Sequence, residues 1–158
     1  ERYPVGEKNA QKHLGSFIEN TLGQYADQRN DPSLGGLSGL SPYLHFGQLS
    51  SLRVALEVHK AVAADSGLQK SADVLLEEMV VRKELSDNFC YYNPKYDRLS
   101  GAPQWAQDTL AKHVDNPREH VYSLEQFEKA QTHDPAWNAA QLQMVRTGKM
   151  HGYMRMYA

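Results

Sequence analysis

The 158-residue sequence has a single cysteine, Cys90. No disulfide can therefore form within the chain, and a reducing, intracellular setting suits it; Cys90 reads as a small buried hydrophobe. No apolar run approaches the roughly 18 residues that a membrane span needs, and no secretory signal opens the chain. Neither sign of charge prevails: 17 Lys and Arg stand against 19 Asp and Glu, a formal net of −2. That balance removes any global electrostatic argument for a polyanionic partner, while leaving room for a local basic stripe. None of the 7 histidines has metal-ligand spacing, and HExxH is missing, as are a Walker loop, GxGxxG and GxSxG. Clean apolar/polar alternation bounded by hairpin turns is missing too. The expected class is all-α, and the composition (41% hydrophobic, 23% charged) is that of one globular domain with a core.

What the sequence does have is helical periodicity. Leu14, Phe17, Ile18, Leu22 and Tyr25 form one amphipathic stripe, predicting a helix that runs to RNDP and a Gly/Ser loop. Ser41 reads as an N-cap and Pro42 as the first helical residue. A helix over 50–65 has Leu52, Ala55, Leu56 and Val62 as its apolar side, and another covers about 69–91. After an irregular connection comes a helix around PQWAQDTLAKHV. Ser123 caps the next, with Gln126 as its capping-box partner. Asp134 caps PAWNAAQLQMVRT, with Pro135 first and Gly148 at its end. A last helix opens near Lys149 with the stripe Met150, Tyr153, Met154 and Tyr157. Trp105 and Trp137 read as packing aromatics.

Two stretches could carry chemistry. The first is LSGLSPYLHFGQLS, residues 37–50. Small residues before a helix start allow an anion to approach unpaired backbone N–H groups, with Ser38 and Ser41 adding hydroxyls; a plain helix cap without a ligand explains the same residues. The second is VLLEEMVVRKELSDNF. At ~100° per residue, Val74, Glu78, Val81, Arg82, Leu85 and Phe89 share a face. A carboxylate among apolar side chains needs a partner. Arg82 one turn on supplies it, either as an ordinary intrahelical pair or as one wall of a ligand pocket.

Together, YADQRNDP, LSGLSPYLHFGQLS, EEMVVRKELSDNFCYYNPKYD, GAPQWA, THDPAWNAAQ and GKMHGYMRMY, in this order and spacing, resemble the flavin-binding helical domain of class II cyclobutane pyrimidine dimer photolyases. The likeness runs through nearly the whole chain. It implies that residues 1–158 are part of a helical FAD-binding domain, truncated at both ends, without an N-terminal α/β antenna domain and its chromophore and without the C-terminal helices. It implies light-driven repair of pyrimidine dimers by electron transfer from reduced, anionic FAD, in a monomeric protein that works with the DNA inside the cell, without metal or membrane. By the same resemblance Tyr25, Leu37, Ser38, Gly39, Leu40 and Ser41 hold the cofactor's phosphates, a threonine being usual where Leu37 stands. Glu78 faces the lesion, and Arg82 lies between flavin and lesion. Arg155 sits by the flavin ring and Met156 touches the lesion. Trp137 is the outer electron-transfer tryptophan; the inner one would fall at Ala158, which cannot relay an electron.

Two other readings share these residues. A cryptochrome-like photoreceptor would keep the flavin site without repair. A cofactor-free helical interaction module would account for the amphipathic stripes, but not for a phosphate-type turn together with Glu78 and Arg82.

Overall fold

The computed structural model describes residues 3–157; the expectation attached to Ala158 lies outside them. The described residues are helical with irregular connections and hold no strand. The elements are α1 (Glu7–Asn20), α2 (Tyr25–Gln28), α3 (Ser41–His45), α4 (Ser51–Ala64), α5 (Gln69–Leu76), a π-helical segment (Glu77–Arg82), α6 (Lys83–Tyr92), α7 (Gln104–Lys112), α8 (Leu124–Glu128), α9 (Pro135–Thr147) and α10 (Gly152–Tyr157).

The core lies in the first half of the chain. Ala10, Leu14 and Phe17 of α1 meet Leu22, Tyr25, Leu40 and Tyr43, then Val54 and Val58 of α4, Ala72 and Leu75 of α5, and Met79. Each fully buried large side chain contributes about 1.5–3 kcal/mol. On α4 the buried residues are Val54 and Val58, with Ala55 and Val62 partly buried, whereas Leu52 and Leu56 are exposed. The sequence admits both stripes, and packing of α4 on α1 and α5 selects the β-branched one.

The expected helix through Tyr25 is broken. α1 ends at Asn20, and Leu22–Gln24 form a 3-10 turn before α2 begins. Gly23 and Thr21 are weak helix formers. The decisive partner is Ser71 of α5, whose hydroxyl accepts from Ala26 N–H at 3.1 Å and donates to the Gly23 carbonyl at 3.4 Å. Backbone groups released by the break are thereby satisfied.

The expected single helix over 69–91 is also interrupted, by the wider i→i+5 turn at Glu77–Arg82. That turn rotates everything after it away from the predicted face. Val81, Leu85 and Phe89 are exposed, while Met79 is buried. Cys90 on α6 is exposed as well, contrary to expectation. Trp105 is 72% exposed, because α7 has no buried residue and packs on no core.

Ser50, which the sequence did not single out as a cap, caps α4 through Arg53 N–H at 3.1 Å. The local signals legible in the sequence fared better. Ser123 and Gln126 form the reciprocal capping box of α8. Asp134 Oδ1 accepts from Ala136 and Trp137 N–H, and Gly148 closes α9 in the left-handed conformation. The start of α3 differs by one residue: Ser41 is already helical, Leu40 is the cap residue, and no side chain caps the helix. Met150 is buried but precedes α10, which opens at Gly152.

Candidate functional site

The break after α1 turns Tyr25 and Arg29 toward the π segment. Tyr25 is buried, with its ring edge-on to Phe17 at 5.7 Å. Burial pushes its hydroxyl pKa above the usual phenol value, against the lowering influence of Arg29. Arg29 Nη1 lies 2.8 Å from Glu78 Oε1, and Arg82 Nε approaches the same oxygen at 3.3 Å. The closer partner of Glu78 is therefore Arg29, which sequence spacing did not single out. Partial burial works to lower the Arg29 pKa, but the Glu78 carboxylate and Tyr25 hold it above the ordinary arginine value. The guanidinium also sits 6.0 Å from the Tyr25 ring centroid. Such a pair, a quarter to a third exposed, contributes about 0–1 kcal/mol to stability. Its main consequence is positional: one carboxylate oxygen is fixed between two guanidinium groups.

The turn before α3 faces this arrangement. Gly36 comes so close to Gln28 that a Cβ would lie 2.6–2.9 Å from its atoms. Gly39 has φ +65°, and a Cβ on it would lie 2.7 Å from His13 Nε2. His13 Nε2 in turn donates to the Ser38 carbonyl at 2.9 Å, fixing the peptide orientation within the turn. Leu40 is a core residue, so its side chain anchors the turn.

Two cavities flank the turn. One, of about 380 Å³, is lined by Tyr25, Ser38, Leu40, Ser41, Glu78 and Lys83, among others. The other, of about 350 Å³, is lined by Leu37, Gly39, His13, Gln143, Lys149 and His151, among others. Both fall in the size range of small-molecule sites. The fold thus brings the turn, Tyr25 and Glu78 around one cavity. Arg82 reaches that cavity through Glu78, whereas Arg155, Met156 and Trp137 line neither one. Arg155 and Met156 lie on the exposed part of α10. Trp137, on α9, stands 5.1 Å from Phe127, ring to ring.

The donor set suits a phosphate-bearing ligand. The Ser38 and Ser41 hydroxyls, an ammonium on Ser41 and a glycine without room for a Cβ meet at one turn. Among the described residues no group of three His, Cys, Asp or Glu could hold a metal ion, and no helix is long and apolar enough to cross a membrane.

No family model matches the chain. Curated proteins do. The chain is 54% identical over 158 residues to a deoxyribodipyrimidine photo-lyase of Oryza sativa subsp. japonica, covering 98% of this chain and 31% of that protein. It is 55% identical over 142 residues to the photo-lyase of Arabidopsis thaliana, covering 89% and 28%. The photo-lyase of Escherichia coli is 30% identical over 156 residues, covering 98% and 31%. The chain therefore spans about 30% of the length of these relatives.

Proposed function

We propose that the chain is part of the helical FAD-binding domain of a class II cyclobutane pyrimidine dimer photolyase, whose whole protein repairs pyrimidine dimers in DNA with light. The observation that carries the reading is the shared cavity. A turn suited to phosphate and Glu78, which Arg29 and Arg82 hold, open onto the same space, as a cofactor beside its substrate requires. Similarity supports the family, and the identity to plant photo-lyases, 54–55%, far exceeds the 30% to the bacterial one, which favours a branch distinct from the latter.

FAD, when bound in reduced form, supplies a light-excited electron donor. The chain's own residues hold and orient. Tyr25, Ser38, Gly39 and Ser41 hold the phosphates, with Leu37 and Leu40 shaping the turn. Glu78, fixed by Arg29 and Arg82, meets a base that has been flipped out of the duplex and accepts a hydrogen bond from its N–H edge, while the Arg82 guanidinium beside it offsets the negative charge that develops. Arg155 and Met156 complete the flavin and lesion surfaces, and Trp137 belongs to the route that re-reduces the flavin. The substrate is damaged DNA, and the protein acts where the DNA is.

The test is light-dependent loss of thymine dimers from an oligonucleotide by the full-length protein, with Glu78→Gln beside it. Repair by the wild type and a lower yield per absorbed photon for the variant, at unchanged flavin content, are expected. A wild type that binds FAD without repairing would turn the reading to a photoreceptor.

A further inference from the structure

A carbonyl oxygen carries partial negative charge, so a turn that holds phosphate has to point its acceptors elsewhere. In the turn before α3 the Ser38 carbonyl is such an acceptor. His13 Nε2 takes it up at 2.9 Å, from 25 positions earlier in the chain. The peptide that follows is planar and trans. The N–H of Gly39, on the far side of that same peptide, therefore points away from the imidazole. Among the described residues this N–H has no hydrogen-bond partner. The Ser38 hydroxyl oxygen accepts the Leu40 N–H at 3.4 Å, which leaves the hydroxyl proton for the cavity that Ser38 lines.

The imidazole is itself held. His13 is half-buried on α1, one turn from the core residues Ala10 and Phe17. Its ring lies 5.5 Å from that of Tyr43, a buried residue of α3 just past the turn. Gly39, at φ +65°, passes so close that a Cβ would stand 2.7 Å from Nε2. A ring packed on the core and a backbone pressed against it leave the Ser38–Gly39 peptide one orientation. We infer that His13 is a positioning residue for the cofactor's phosphates: by donating to the Ser38 carbonyl it draws that acceptor off the anion and presents the Gly39 N–H and the Ser38 hydroxyl instead. This deepens the FAD reading above and rests on it.

The experiment uses the full-length protein stripped of flavin. FAD is titrated by fluorescence quenching into the wild type, His13→Phe, His13→Gln and His13→Asn, with far-UV circular dichroism as the folding check. Phenylalanine keeps a ring against Tyr43 and removes the donor. Glutamine can place an amide N–H where Nε2–H stands, and asparagine, one methylene shorter, cannot. One net hydrogen bond corresponds to roughly a twofold to tenfold change in affinity. His13→Phe and His13→Asn are expected to weaken FAD by about that factor, and His13→Gln to restore most of it. If the wild type binds FAD and His13→Phe matches it, His13 has no part in binding and the FAD reading stands. Equal weakening in His13→Phe and His13→Gln would mean that the imidazole acts by packing alone, which overturns the positioning role. If the wild type binds no FAD, the reading itself fails and takes the role of His13 with it. Should His13→Phe not fold, the two amides decide: FAD affinity near wild type for His13→Gln and lower for His13→Asn supports the role, and equal affinity in the two overturns it.

Discussion

Gly39 shows how little freedom a single residue can have. With φ at +65° and His13 Nε2 2.7 Å from where a Cβ would stand, an L side chain is penalised by its backbone and by its neighbour. Left-handed backbone costs a non-glycine about 1–2 kcal/mol, and the displaced His13 would release the Ser38 carbonyl. Gly39→Ala should lower stability by at least that amount in urea denaturation and weaken FAD binding; equal stability would show that the turn relaxes freely. His151 is constrained differently. Its Nδ1 accepts the Tyr153 N–H at 3.1 Å, which assigns the proton to the buried Nε2. Burial pulls its pKa below the usual histidine value; Lys149 and Arg155 act in the same direction, while Asp31 and the Arg29 backbone oppose them. Folding favours the neutral form. Its stability is present above the unfolded value of about 6.5 and is lost as pH falls from there through the lower folded value. Hydrogen exchange at Tyr153 N–H should therefore quicken, relative to helix-interior amides of α4, when the pH drops from neutral through that window. A flat ratio would mean that the junction does not sense the imidazole.

At the scale of elements, one serine decides the course of the first third of the chain. Ser71, 3% exposed, serves both Ala26 N–H and the Gly23 carbonyl, so Ser71→Ala leaves two backbone groups short of partners. A buried unsatisfied group costs about 1–3 kcal/mol. The variant should lose about that much stability, and α2 should lose its fixed angle, seen as weaker flavin binding; a change under about 0.5 kcal/mol would place the cause of the break in Thr21 and Gly23 alone. This element also shows what a sequence can disclose. The caps at Ser123 and Asp134 were legible because donor and acceptor lie within three residues. The break at 21–24 was not, because its partner is about 45 positions away. The π turn at Glu77–Arg82 was not, because a wheel drawn at a constant angle has no place for it. The same two irregularities bring Arg29 to Glu78, so the residue that periodicity missed is the one that depends on both. An arginine four residues after Tyr25 was the available signal, since a helical i, i+4 step puts the two on one side.

For the whole molecule the telling quantity is surface. The chain exposes 11282 Å², whereas a folded monomer of 17.9 kDa is expected to expose about 8,000 Å². The excess is concentrated after residue 80. There α6, α7 and α8 contain no buried residue, and Leu85, Tyr91, Tyr92, Trp105, Val121 and Leu124 are all exposed. Apolar surface contiguous over more than a few hundred Å² marks an interaction face, and each large side chain left in water forgoes about 1.5–3 kcal/mol. The core around Phe17, Leu40 and Val54 can hold the first half together, while α7 and α8 gain little from it. Taken alone, the 158-residue chain should therefore bind a hydrophobic dye, associate as concentration rises in sedimentation velocity, and exchange the amides of α7 and α8 long before those of α1 and α4. Covering this face in a longer chain should abolish dye binding and raise the melting temperature. A 158-residue chain that stays monomeric, excludes the dye and protects α7 as well as α4 would mean that the second half folds back on itself, and the cavity beside Glu78 would then have to be redrawn with it.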